Sequence, residues 1–196
     1  MALTWPVMLA VLGGAVLHAG WNALVKSSGD KALDTALVHF LGAVVALPLL
    51  VIVGLPSKAA LPFIAASLVI HIAYYIALAG AYKHGELGLT YPIMRGFAPL
   101  LVALGSSAVL AEVPTPLAWV GILGITLGVA LVGLAHPGET LHHRKALAFA
   151  FANALIIAVY TFVDSKGVRE TVAAGQSAAA YVMLLFVLDG LPYPAL

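Results

Sequence analysis

The sequence predicts an all-α polytopic membrane protein, built as a five-helix repeat followed by the first two helices of an inverted second repeat. Three observations predict it. First, 63% of the 196 residues are apolar and only 9% are charged, against roughly 45–50% and about 25% in an average soluble domain, too few charges to cover a water-facing surface. Second, six apolar runs approach the roughly 20 residues that a helix needs to cross a hydrocarbon core of about 30 Å. Third, the first and sixth runs end alike: Trp21-Asn22 precedes Lys26-Ser27-Ser28-Gly29, and Tyr160-Thr161 precedes Asp164-Ser165-Lys166-Gly167. Copies offset by five crossings, an odd number, are inverted relative to one another, as in inverted-repeat transporters.

The runs are 5–25, 35–53, 61–82, 87–110, 117–134 and 146–163, with a shorter seventh at 177–188 that meets Asp189-Gly190-Leu191-Pro192. The breaks between them carry loop chemistry: Ser28-Gly29-Asp30, Gly54-Leu55-Pro56-Ser57, Gly85-Glu86, Val113-Pro114-Thr115-Pro116 and His136-Pro137-Gly138. The division is therefore 1–135 for the first repeat, 136–145 for a linker and 146–196 for the start of an incomplete second repeat. The first run is not a cleaved signal peptide, since Met1 to Thr4 carry no basic side chain. With a cytoplasmic amino terminus, Lys58, Lys166 and Arg169 fall inside while Lys26, Lys31, Lys83, Arg144 and Lys145 fall outside, so charge alone leans weakly the other way.

A net charge of +1 and scattered basic residues give nucleic acid no electrostatic footing. The absence of Cys removes disulfides, thiolate metal sites and cysteine nucleophiles. His136, His142 and His143 around Pro137-Gly138 read as a solvated linker rather than a metal site. Ser106 and Ser107 lack the Gly-x-Ser-Gly setting of an intramembrane serine protease, so no enzyme is expected and no cofactor is implied.

An ionisable side chain at bilayer depth costs about 2.5–3.5 kcal/mol on insertion scales and asks for a partner or a purpose. At 1.5 Å per residue, His18 lies about 20 Å into the first run and His71 about 15 Å into the third. Arg95, about 12 Å into the returning fourth run, stands about 18 Å from the same face. His18 with Asn22, His71 with Tyr75, and Tyr91 with Arg95 are i,i+4 pairs that share helix faces. Trp21 and Tyr74 add aromatic neighbours, His39 reads as interfacial, and Pro92 and Pro99 predict a kinked fourth helix at the cavity wall. The layer offers a guanidinium, imidazoles, an amide and rings but no carboxylate, which suits an anionic or zwitterionic metabolite. The glycine-rich fifth run, with Gly124-x-x-x-Gly128, reads as a packing or homodimer helix in the lipid bilayer.

Several blocks together resemble the EamA family of the drug/metabolite transporter superfamily. They are Leu17-His18-Ala19-Gly20-Trp21-Asn22-Ala23-Leu24-Val25-Lys26, His71-Ile72-Ala73-Tyr74-Tyr75, Ala81-Tyr82-Lys83-His84-Gly85 and Tyr91-Pro92-Ile93-Met94-Arg95-Gly96-Phe97-Ala98-Pro99. The resemblance covers residues 5 to about 135 well and 145 to 190 loosely. It implies ten spans in two inverted five-helix repeats, a cytoplasmic amino terminus, a bacterial inner membrane and secondary transport, often export, of small metabolites. The chain departs from it in length by about three spans. Four-span members of the superfamily carry a glutamate in the first helix for proton-coupled cation export; the first run here has no acid, so that mechanism is not implied. The expected site has Arg95 holding a substrate anion, His71, Tyr74, Tyr75 and Tyr91 orienting it, and His18, Trp21 and Asn22 on the opposite wall. A helper or scaffold subunit is the competing expectation, with the polar layer paired internally.

Overall fold

A computed structural model describes residues 5–27, 31–134 and 144–190; the side chains of 18, 19, 21–27, 31, 32, 34, 35, 87 and 132–134 fall outside that description. The described residues form α1 (Trp5–Ser27), α2 (Lys31–Val53), a short 3-10 turn (Lys58–Ala60), α3 (Leu61–His84), α4 (Leu87–Leu110), α5 (Pro116–Leu134), α6 (Arg144–Ala173) and α7 (Ala178–Gly190), with no strand among them. Four stretches are long and apolar enough to cross a membrane: Ala36–Val53, Lys58–His84, Gly88–Leu110 and Arg144–Ala173. Among the described residues the fold is all-helical, that of a membrane protein.

The helices alternate in direction as successive crossings require. Arg169, near the end of α6, pairs with Glu112 in the α4–α5 break at 2.5 Å, and Ser57, before α3, donates to the Glu170 carbonyl at 3.3 Å. The α2–α3 break, the α4–α5 break and the end of α6 therefore share one face. Gly85, between α3 and α4, packs against Ala146 at the start of α6 on the other.

The core is organised around α6, which lies between α3 and α4, so that those two neighbours in sequence scarcely touch. The cause is a stripe of small residues. Ala146, Ala150 and Ala154 are 0% exposed and Ala158 is 2% exposed, one per turn at i,i+4 spacing on one face. Small side chains let helix backbones approach closely where no hydrophobic effect drives helices together. Ala150 joins Ala81 of α3 and Ile93 and Met94 of α4 in one buried cluster; Ala154 and Ile157 join Ala98 in the next. Larger α6 side chains fill the remaining gaps, with Phe149 lying across Gly80 and Phe162 across Gly105.

Elsewhere α7 packs on α2 through Val187, Ala46 and Leu50, and α5 packs on α4. Gly121, Gly124 and Gly128 of α5 face open space. The buried hydroxyls of Thr90 and Thr171 bond back to the carbonyls of Glu86 and Gly167, each at 2.9 Å, which is how polar groups survive without water in an apolar medium.

Two features differ from the sequence reading. Helix α6 runs to Ala173 rather than 163. At about 45 Å it exceeds the hydrocarbon core, and its polar final turns reach the surface where Arg169 meets Glu112. It ends where Gly175 adopts φ +81°, a conformation that costs other residues a clash at Cβ. Helix α7 extends through Asp189, so an acid expected in a break sits on a helix. Helix α4 stays helical through Pro92 and Pro99. Proline 99 cannot donate to the Arg95 carbonyl, and one residue on, Thr126 of α5 donates to the Gly96 carbonyl at 3.2 Å. The linker histidines His136, His142 and His143 lie outside the described residues.

Overpacking the α6 stripe should destabilise the bundle more than trimming its outer face. Ala154→Leu is expected to cost about 1–3 kcal/mol. Leu155→Ala, at a side chain 55% exposed, should stay within about 0.5 kcal/mol. Thermal unfolding in detergent compares the two; equal shifts would mean that α6 is not wedged tightly.

Candidate functional site

Arg95 projects from α4 towards α3 and α6. Its Nη2 donates to the Tyr74 hydroxyl at 3.2 Å, and its guanidinium carbon lies 5.7 Å from the centre of the Tyr91 ring. Tyr160 of α6 stands edge-on to the Tyr74 ring, with centroids 6.2 Å apart. Tyrosines from three helices thus gather near the cation. Arg95 makes no ion pair among the described residues; the salt bridge found there is the surface one between Arg169 and Glu112. The acids nearest the cluster hold tyrosines of their own. The Tyr181 hydroxyl donates to Asp164 Oδ1 at 2.8 Å, and the Tyr75 hydroxyl donates to Asp189 Oδ2 at 2.9 Å.

His71 completes the wall. Its ring stacks on Tyr160 with centroids 4.7 Å apart and planes 27° apart, and Nδ1 meets the Ser67 carbonyl oxygen at 2.8 Å. A carbonyl only accepts, so Nδ1 carries the hydrogen and Nε2 is left to accept from a guest, or to donate when the ring is protonated. Asn153 of α6, 1% exposed, donates Nδ2 to the Tyr74 carbonyl at 3.0 Å, while its buried Oδ1 has no partner among the described residues.

Of the side chains expected at the site, Arg95, Tyr91, Tyr74 and His71 come together. Tyr75 does not join them at the cation: consecutive helical residues point about 100° apart, and its hydroxyl turns to His39 of α2, at 2.9 Å, as well as to Asp189 of α7. His39 thereby engages α3. The side chains of His18, Trp21 and Asn22 lie outside the described residues.

Sequence reasoning missed Tyr160, Asn153 and Asp189 as site neighbours. Asn153 carried a usable signal, an amide inside an otherwise apolar stretch of the sixth run. Asp189 carried a misleading one, since Asp189-Gly190 before Pro192 imitates a turn.

A cleft of about 340 Å³ opens beside the α4–α5 break, lined by Pro99, Ala103, Ser106, Glu112, Pro114 and Ile122 among others. It reaches Pro99, one helical turn from Arg95, but is lined by neither Arg95 nor His71. Compared with protein-family models, with curated proteins and with solved structures, the chain matches none.

Removing the Tyr74 hydroxyl should cost more stability than neutralising the surface pair. Tyr74→Phe is expected to lose about 0.5–2 kcal/mol, the range of hydrogen bonds inside membrane bundles. Glu112→Gln breaks a pair whose side chains are 48% and 64% exposed and should lose less than about 0.5 kcal/mol. Denaturant titration in micelles checks the order; the reverse order would place Tyr74 outside the supporting frame of Arg95.

Proposed function

We propose that this chain is a secondary transporter of small anionic or zwitterionic metabolites, exporting rather than importing them by alternating access, and that it belongs to the EamA family of the drug/metabolite transporter superfamily. Under this reading α1 to α5 form one repeat, α6 and α7 begin an inverted second copy, and the protein resides in a bacterial inner membrane. One observation carries the assignment of substrate charge: Arg95 sits among tyrosine hydroxyls with no ion pair among the described residues. A guanidinium taken out of water needs counter-charge or generous hydrogen bonding. Neutral hydroxyls supply part of the hydrogen bonding, and a carboxylate or phosphate guest supplies the charge in the geometry that guanidinium prefers. The rings of Tyr91, Tyr160 and His71 provide a firm wall, and Nε2 of His71 a polar contact.

A scaffold role draws on a different observation, the internal pairing of Tyr75, His39 and Asp189, and predicts no transport at all. The outward Gly121, Gly124 and Gly128 face of α5 is the surface through which we propose a homodimer forms.

Proteoliposomes loaded with radiolabelled benzoate as an anion and alanine as a zwitterion test the reading. Saturable efflux of either is expected, reduced about tenfold or more by Arg95→Ala, the equivalent of losing a charged hydrogen bond of about 1.5–3 kcal/mol. Arg95→Lys should restore only part, because a point charge lacks the fork. Efflux indifferent to Arg95→Ala removes Arg95 from the site, and no efflux of any probe favours the scaffold.

Orientation has its own test, since the native chain carries no Cys to confuse labelling. Cysteines placed at Lys58 and Glu112 should react with an impermeant maleimide only after the cells are opened, and one at Lys83 should react in intact cells. The opposite pattern would invert the proposed topology.

A further inference from the structure

Resting on the anion reading of Arg95, we propose that His39, Tyr75 and Asp189 form a proton-binding site whose occupancy is linked to anion occupancy at Arg95. Three helices contribute to it. His39 comes from α2, Tyr75 from α3 and Asp189 from the last turn of α7. The Tyr75 hydroxyl has a single hydrogen and donates it to Asp189 Oδ2 at 2.9 Å, so its contact with His39 Nε2, also 2.9 Å, has the imidazole N–H donating to the tyrosine oxygen. The chain of hydrogen bonds thus runs from imidazole through hydroxyl to carboxylate.

Close packing fixes this arrangement. A Cβ on Gly190 would collide with the His39 carbonyl oxygen and with Ala43, so the residue after Asp189 lets α7 lie directly against α2. The carboxylate is held by a neutral hydroxyl rather than a cation, which leaves the trio with a net negative charge while the imidazole is neutral. Protonation forms an O–H bond at Asp189 Oδ1, with the proton drawn from the aqueous phase. Oδ2 continues to accept from Tyr75, so no hydrogen bond in the chain reverses, and the trio becomes neutral.

Tyr74 connects the trio to the anion site. Its ring centre lies 5.2 Å from that of Tyr75, and its hydroxyl accepts from Arg95. The other titratable groups facing the trio among the described residues are His71, 6.5 Å from Tyr75 between ring centres, and Tyr160 behind it, while Asp164 and Tyr181 are paired with each other. An anion arriving at Arg95 opposes a second negative charge nearby and so favours the protonated carboxylate. Linkage makes the effect reciprocal: protonating Asp189 tightens the anion by the same factor.

The test uses the full chain in lipid nanodiscs, benzoate as the probe, and calorimetry in buffers of different ionisation enthalpy between about pH 6 and 8. Benzoate is fully ionised there and brings no proton. Up to one proton taken up per benzoate is expected, with affinity falling by at most about tenfold per pH unit. Asp189→Asn, which mimics the protonated acid, should bind benzoate with no uptake and little pH dependence, while Glu112→Gln, in the exposed surface pair, should retain the uptake. The proton count of the native chain needs no variant and stands even if Asp189→Asn folds poorly. Arg95-dependent binding without proton uptake, or uptake unchanged in Asp189→Asn, overturns the linkage and leaves the anion site. Failure of the native chain to bind benzoate at millimolar concentration overturns the anion reading itself, and the linkage with it.

Discussion

The insertion of α6 between α3 and α4 is the contact on which the rest of the molecule depends. Consecutive antiparallel helices ordinarily pack on each other, but here Ala146, Ala150, Ala154 and Ala158 allow a third helix to take the place of that contact. Dispersion between closely approaching backbones is the main attraction available in lipid, and small residues at one-turn spacing maximise it. The same wedge delivers Tyr160 to the rings of His71 and Tyr74, and Asn153 to the Tyr74 backbone. Helix packing and site construction are therefore one event.

Electrostatics then divide the polar interior into separate compartments. Asp164 and Asp189 each hold a tyrosine hydroxyl, and Arg95 is ringed by others. Tyr75 stands between Asp189 and the tyrosine bonded to Arg95, so no carboxylate meets the guanidinium directly among the described residues. A direct Arg–Asp pair would be closed to guests, whereas hydroxyl-separated charges stay responsive to whatever ion arrives.

Much of this architecture was legible in the residues. The apolar runs and their glycine and proline breaks located the seven helices of the described residues, because a bilayer imposes a length on any spanning segment. Depth counting placed Arg95 and His71 at a common level, and Tyr74 lies against both. Helical periodicity, however, only says which residues of one helix share a face. It put Tyr75 with His71 and could not say which neighbour each face would meet. The alanine stripe that decides this at α6 looked like ordinary apolar sequence, and Asp189-Gly190 looked like a turn because close approach to α2 is a property of two helices rather than one.

Tyr74 and Tyr75 are neighbours in sequence yet serve different partners, one the cation on α4 and the other the acid on α7. Being about 100° apart on a stiff cylinder, their hydroxyls are tied to a single mechanical degree of freedom. Any roll of α3 about its axis that draws one away from its partner must also shift the other, so the helix acts as a cam, and neither contact can be adjusted by a rigid turn of α3 alone.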